Sequence, residues 1–273
     1  MQIHCPALDC LVPDGVDVPA AAQRTTHMGI GAHPDDLEII AISGILACID
    51  SSEDWFTGVV ACDGAGSPRS GDYAGLSDSD MVETRRQEQR RAAALGRYSL
   101  QLQLGFKSRE ADSPALVDCL EQALRDCRPE TLFIHNPADG HATHRALARS
   151  SLAALSRLPV AERPGQVWGV EVWRSLDWLG PPRRVTLPVD DPDGLQARLL
   201  RCHDSQVSGG KRYDEAIIAR QQANATLVES HSVDACGACV LAMDLGPLLS
   251  QPQPDLDAFL LELLSEFRDS ILG

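Results

Sequence analysis

Thr26-His27-Met28-Gly29-Ile30-Gly31-Ala32-His33-Pro34-Asp35-Asp36-Leu37-Glu38 begins as a short apolar run and ends abruptly in acids. Residues 26–32 read as a β-strand, and Pro34 stops it, because proline lacks the N–H of a sheet ladder and restricts the residue before it. Residues 38–50 then form a mostly apolar segment long enough for a helix, in which Ser43 and Gly44 are small enough to allow close packing.

The same strand-to-helix pattern recurs on the C-terminal side. Residues 55–62 predict a second strand, 63–75 a polar, glycine-rich surface loop, and 79–95 a polar-faced helix with Gly96 as a left-handed cap. Ser113-Pro114 is an N-cap and first-turn pair for a helix running to Cys127. Residues 131–135 predict a third strand and 141–156 another helix. Such alternation predicts an α/β fold, a mostly parallel sheet with helices on both faces.

Beyond Pro164, strands are expected at 167–176 and 183–189, around a turn at Gly180-Pro181-Pro182. Helices are expected at 194–206 and 213–227, a late strand at 238–245, and a helix at 255–271 whose leucines and Phe259 dock on the body of the protein. Residues 1–24 read as an irregular N-terminal extension with at most a short edge element, and residues 25–273 as a single domain. No internal repeat or low-complexity tract interrupts it.

Composition excludes several function classes. Twenty-four Lys and Arg against 39 Asp and Glu give a net charge of −15, which repels phosphate backbones and argues against a nucleic-acid partner. The densest arginine run (Arg85, Arg86, Arg90, Arg91) is interleaved with Glu83 and Glu88 and reads as ion-paired residues on a wetted helix face. No apolar run approaches the roughly 20 residues of a membrane helix, so no integral membrane segment is expected. The nine cysteines are odd in number and scattered, and residues 1–10 do not look like a signal peptide. Both observations favour a reducing, cytoplasmic location. A homo-oligomer is compatible with all of this.

The chemistry concentrates at two expected strand ends, where open α/β sheets gather functional groups. His33 and Asp36 sit on a turn entering a helix, while His141 and His144, three apart at another helix start, share one side of a turn. Two strand ends thus deliver a His, Asp, His set to one point, the donor set of a catalytic zinc site with one position left for water. Asp35, beside the committed Asp36, is the candidate general base. Taken singly, the His-Pro-Asp-Asp turn also reads as a helix N-cap, and His141 and His144 as surface histidines. Asp63 is a candidate pocket residue or a loop cap, Arg85 a substrate contact or an ion-pair lock on the glycine-rich loop, and Glu229 and His231 are weaker candidates; His203 reads on its own as a structural or exposed histidine and becomes a pocket candidate only through a family resemblance. Cys236 and Cys239 have metal or redox spacing but no second cysteine pair. No glycine-rich turn links the first strand to its helix, which disfavours a nicotinamide dehydrogenase.

Residues 31–38, Gly-Ala-His-Pro-Asp-Asp-Leu-Glu, resemble the signature of the PIG-L/LmbE-like N-acetylglucosaminyl deacetylase superfamily, and Asp139-Gly140-His141-Ala142-Thr143-His144 resembles its second signature. The arginine- and glutamate-bearing helix around Arg85 and Glu88, and the segment holding His203, Ser205 and Gln206, extend the similarity over roughly residues 26–229. The resemblance implies a Rossmann-like, LmbE-like deacetylase fold and one catalytic Zn2+. It implies His33, Asp36 and His144 as metal ligands, Asp35 as general base, and His141 as the histidine that stabilises the transition state or protonates the leaving amine. The implied substrate is a small N-acylated, usually N-acetylated, amino sugar or glycoconjugate, hydrolysed to a carboxylate and a free amine. The alternative is a non-catalytic, metal-containing carbohydrate-binding or structural protein. This chain departs from the family in having Thr143 where an aspartate commonly precedes the last metal histidine, and in lacking a tyrosine near Asp139.

Overall fold

The computed structural model describes residues 7–180 and 183–273. Eight strands form one sheet: β1 (Asp9–Leu11), β2 (His27–Gly31), β3 (Phe56–Cys62), β4 (Leu100–Phe106), β5 (Thr131–His135), β6 (Gln166–Val170), β7 (Arg184–Pro188) and β8 (Cys239–Asp244), in the order β1-β4-β3-β2-β5-β6-β8-β7. The central five, β4-β3-β2-β5-β6, are parallel, while β1 and β8 run antiparallel to their neighbours. The chain moves outward from β2 through β3 to β4, then crosses back to β5 and β6 on the other side. That reversal opens a crevice at the C-terminal ends of β2 and β5, where such sheets bind ligands.

Helices α1 (Val18–Gln23), α2 (Leu37–Ile40), α3 (Ile42–Ile49), α4 (Asp78–Leu95), α5 (Pro114–Cys127), α6 (Ala142–Ser156), α7 (Leu195–Arg201), α8 (Asp204–Val207), α9 (Tyr213–Leu227), α10 (Gly246–Leu249) and α11 (Leu256–Leu272) cover the sheet. The alternation in β2 shows how. Met28 and Ile30 point into one apolar layer with Leu120, Leu124 and Leu155 of α5 and α6. On the opposite face Gly29 lets α2 come so close that a Cβ there would lie 3.0 Å from the side chains of Leu37, Ala41 and Phe56. Gly44 serves the same purpose: its Cβ would meet the Phe133 ring at 2.5 Å. Gly44→Val is therefore expected to lower stability by about 1–3 kcal/mol, as overpacking does, read as a lower urea midpoint at unchanged slope; an unchanged midpoint would show that Phe133 yields freely.

Several expectations need correction. The helix expected at 38–50 is broken at Ala41 (ψ 16°), which separates α2 from α3. Gly96 is not left-handed; the positive φ falls on Arg97 at 50°. The sequence reading missed β4, whose Gln101 and Gln103 are buried and hydrogen-bonded, to Leu102 O and to Asp9 and Arg86 O respectively. The strand expected at 167–176 ends at Val170, and the helix expected at 194–206 breaks at Cys202 and His203. In the N-terminal stretch read as irregular, β1 is the short edge element allowed for there, whereas α1 was not expected and buries Ala21 and Ala22 in the core. The first six residues of that stretch, and residues 181–182 of the expected Gly-Pro-Pro turn, lie outside the described residues. Arg85 is not on a wetted face but fully buried, with Glu88 and Gln89 beside it. Among the described residues, no helix is long and apolar enough to cross a membrane.

Candidate metal centre

The β2 exit, residues 33–36, turns sharply into α2. Asp36 Oδ2 accepts the His33 N–H at 2.7 Å, which closes the turn and fixes the carboxylate. Asp35, between them, holds φ at 106°, a region that non-glycine residues rarely occupy and that clusters at functional sites. What holds it there is Arg85 of α4, whose guanidinium donates to Asp35 Oδ2 at 2.7 Å and also to the Pro34 carbonyl. Arg85 is itself clamped by Glu88 at 2.9 Å, and Glu88 accepts from both the N–H and hydroxyl of Ser205. A buried arginine paired on both sides in this way would be costly to unpair.

The β5 exit brings the histidines. His144 Nε2 lies 3.5 Å from Asp36 Oδ2, and His33 Nδ1 lies 3.4 Å from the same oxygen. In a tetrahedral site with bonds of about 2.0–2.1 Å, adjacent donors stand about 3.3–3.4 Å apart. The donor atoms of His33, Asp36 and His144 all lie within 4.8 Å of one another, so these residues fit a zinc ion in both chemistry and spacing. Electrostatics agree: burial opposes charge on Asp36, yet His144 and His135 hold its carboxyl well below the usual range. Burial likewise opposes charge on His144, and Asp36 and Asp139 overcome it to raise its pKa. The centre attracts a cation.

His135, Asp139 and His144 form a second, overlapping donor group, all three buried. They back the first site rather than compete with it, because His33, Asp36 and His144 line the adjoining cavity of about 480 Å3 and His135 and Asp139 do not. Asp139 Oδ1 stands 3.4 Å from His144 Nδ1, at the long end for an interaction that orients a ligand histidine. Thr143 therefore does not leave His144 without a carboxylate behind it. Burial pushes Asp139 up, but His144 and the His141 N–H bring it down to about 2. The imidazole of His135 stacks on that of His144 at 3.8 Å between centroids, and burial lowers its pKa to about 4. Its Nε2 faces both the Ala32 N–H at 3.0 Å and Asp36 Oδ2 at 3.1 Å, and one tautomer serves only one of these. Neither Asp139 nor His135 was singled out from the sequence; the signal was a lone aspartate five residues before His144 and a histidine ending a strand.

Asp35 and Arg85 also line the cavity, as do His141, Trp173, Gln206, Lys211 and Tyr213. Burial raises the pKa of Asp35 and Arg85 opposes it, while burial, followed by His144 and His33, lowers that of His141. The other expected pocket residues lie elsewhere. Asp63 caps its loop, accepting from Ala65 N at 3.0 Å and pairing with Lys107. His203 is fully buried behind the cavity, with Nε2 3.1 Å from Glu38 Oε2, and Glu38 also accepts from Tyr98 and Gln89. Glu229 and His231 are exposed and bond to each other. Cys239 is buried, Cys236 half-buried, and neither joins a candidate metal group among the described residues.

Glu171, just past β6, gives a pH signature. Burial pushes its carboxyl up to about 7, against the Leu176 N–H that it accepts. Its folded-state pKa thus exceeds the unfolded value of about 4.5, so the fold holds the proton more tightly and stability falls as pH rises from about 4.5 to about 7. The loss is on the order of 2–3 kcal/mol. Glu171→Gln should flatten that slope in denaturation curves taken at pH 5 and pH 7.5; an equally steep slope in the variant would assign it to other groups.

Residues 28–155 match the protein family described as PIG-L: GlcNAc-PI de-N-acetylase. No curated protein matches the chain. Among solved structures, it is similar to the conserved protein TT1542 from Thermus thermophilus, with a TM-score of 0.63 and 20% identity over 85% of this chain and 96% of that one. It is similar to the N,N'-diacetylchitobiose deacetylase of Pyrococcus horikoshii, with a TM-score of 0.63 and 16% identity over 86% and 88% of the two chains. It is also similar to GalB, the 4-carboxy-2-hydroxymuconate hydratase of Pseudomonas putida, with a TM-score of 0.61 and 15% identity over 81% and 96%. At these identities the likeness is one of fold.

Proposed function

We propose that the chain, whose residues 28–155 match the family described as PIG-L: GlcNAc-PI de-N-acetylase, hydrolyses an N-acyl amide, an N-acetyl group in the first instance, on a small amino sugar or glycoconjugate. The observation that carries this reading is the convergence of His33, Asp36 and His144 on one point of the cavity wall, with Asp35 beside them. The de-N-acetylase description of the family and the chitobiose deacetylase of the same fold support the N-acetyl choice.

His33, Asp36 and His144 would hold one zinc ion. When bound, such an ion polarises the acyl carbonyl and makes a water more acidic. Asp35 accepts the proton of the attacking water: Arg85 fixes one of its oxygens, and the other has no hydrogen bond among the described residues. His141 lines the cavity beside these residues, its ring 4.7 Å from that of His144 and 5.5 Å from that of His33. Its part is to steady the oxyanion or deliver a proton to the departing nitrogen. The new C–O bond comes from water, the C–N bond breaks, and the water's proton ends on the amine.

The test is a panel of N-acyl amines assayed for amine and acid release, with metal content measured in parallel. About one zinc per chain is expected, with release abolished by a chelator and restored when zinc is returned. Bound metal without release from any panel member would favour the non-catalytic carbohydrate-binding reading. Water addition to an unsaturated acid, in place of release, would move the chain toward the chemistry of the hydratase that shares its fold.

A further inference from the structure

Helix α11 carries apolar side chains on two faces, and the body of the protein covers one of them. Phe259 and Leu263 are 7% and 1% exposed, and Arg183 fixes that side, its guanidinium 5.7 Å from the Phe259 ring centroid and paired with Glu262 at 2.9 Å. Turned outward on the same helix are Leu261, Leu264, Phe267, Ile271 and Leu272, left 67%, 51%, 38%, 65% and 75% exposed. Leu260, Leu264, Phe267 and Ile271 stand four, three and four residues apart, the spacing with which helices pair along a seam. Their apolar surface is on the order of 500 Å2, as large as the patches that soluble monomers leave in water. It runs on into a groove of about 460 Å3 lined by Phe267, Trp173 and Trp178.

The charges on this face point to what covers it. At about 3.6 residues per turn, Glu262, Glu266 and Asp269 fall on the far side of the helix, and only Asp257 and Arg268 lie within the outward apolar arc. These two are placed symmetrically, Asp257 four residues before Leu261 and Arg268 four residues after Leu264. A helix laid antiparallel on a copy of itself, with the two-fold axis between Leu261 and Leu264, therefore sets leucine against leucine. It also brings Asp257 opposite the partner's Arg268, once at each end. Parallel helices would set like charge against like. Asp257 pairs with Arg149 at 2.8 Å and Arg268 with its neighbour Asp269, but all four side chains are at least half exposed, so neither pair holds its charge firmly.

We infer that the outward face of α11 is an interface between two copies of this chain, paired antiparallel about a two-fold axis. Two such patches together bury on the order of 1,000 Å2, the low end for a specific interface, which sets a reversible dimer with a dissociation constant on the order of 10 μM. Pairing does not depend on the hydrolase reading.

The test is analytical ultracentrifugation of the intact protein from about 1 to about 200 μM, since a dimer of this strength dissociates on dilution. The mass is expected to rise with concentration from 29.5 kDa toward twice that value. Leu264→Glu, at a position on which the core does not rely, should weaken the dimer at least about 30-fold while circular dichroism and the urea midpoint stay unchanged. Asp257→Arg and Arg268→Asp should each weaken it about three- to tenfold at low salt, because each sets like charges together at both ends. Mixed in equal amounts, those two variants should pair with each other in preference to themselves, since opposite charges then meet at both ends. A mass of 29.5 kDa at every concentration would overturn the proposal and give the face to a different protein. Self-association untouched by Leu264→Glu would overturn it by placing the contact elsewhere. Single charge variants that pair as tightly as the parent, or a mixture with no preference, would overturn the antiparallel arrangement.

Discussion

Asp35→Asn is expected to leave metal content and fold intact while lowering kcat by about 10²–10⁴-fold, the usual contribution of a positioned proton acceptor. The substitution is chosen for its conservatism. An asparagine amide oxygen still accepts from Arg85, and asparagine, like aspartate, tolerates the positive φ of 106° that this position demands. What is removed is the negative charge and with it the ability to take a proton, while Glu88 remains as a counter-charge to Arg85. Alanine would mix that loss with backbone strain and with a buried arginine left without one of its acceptors. The measurement is kcat at saturating substrate alongside zinc stoichiometry. A variant that retains full turnover with full metal would reassign the base, and one that loses both would mean that Asp35 acts through the centre's architecture instead.

Asp36→Ala should have the larger effect on the centre itself. Its Oδ2 faces His33, His135 and His144 at 3.1–3.5 Å and closes the turn through the His33 N–H, so one side chain organises both strand exits. Removing it takes away the sole oxygen donor of the set. Zinc after dialysis is expected to fall from about one per chain to near zero, and activity to background, a loss of at least about 10³-fold. The control is far-ultraviolet circular dichroism, which should be unchanged. Undiminished zinc in the variant would shift the ion to the deeper group of His135, Asp139 and His144.

The sheet core was legible because its strands are apolar runs ended by proline or glycine and separated by helices with recognisable caps, as at Ser113-Pro114. β4 was overlooked although Leu100-Gln101-Leu102-Gln103-Leu104 alternates apolar and polar residues as a strand does; what that pattern does not convey is that both glutamines are buried and satisfied by hydrogen bonds. The break at Ala41 was hidden because both halves are equally apolar, and only the turn geometry at Asp36 ends the first helix so early. At the centre, the three residues that converge come from two compact motifs; spacing nominated a His, Asp, His set, and the choice of His144 over His141 came from the family resemblance. What spacing did not convey was depth. Arg85 reads as one charge among many on a polar helix, yet it is sealed against Asp35. His203 likewise turns away to Glu38. Trp173 and Lys211 belong to segments far apart in the chain, so only folding reveals that they meet.

Asp139 draws several of these strands of evidence together. One oxygen accepts the His141 N–H and faces His144, and the other gathers the N–H groups of Val172 and Trp173. A single carboxylate thus ties the turn carrying His141 and His144 and the segment carrying Trp173 to the same anchor. Loss of that one carboxylate would therefore loosen two walls of the cavity at once.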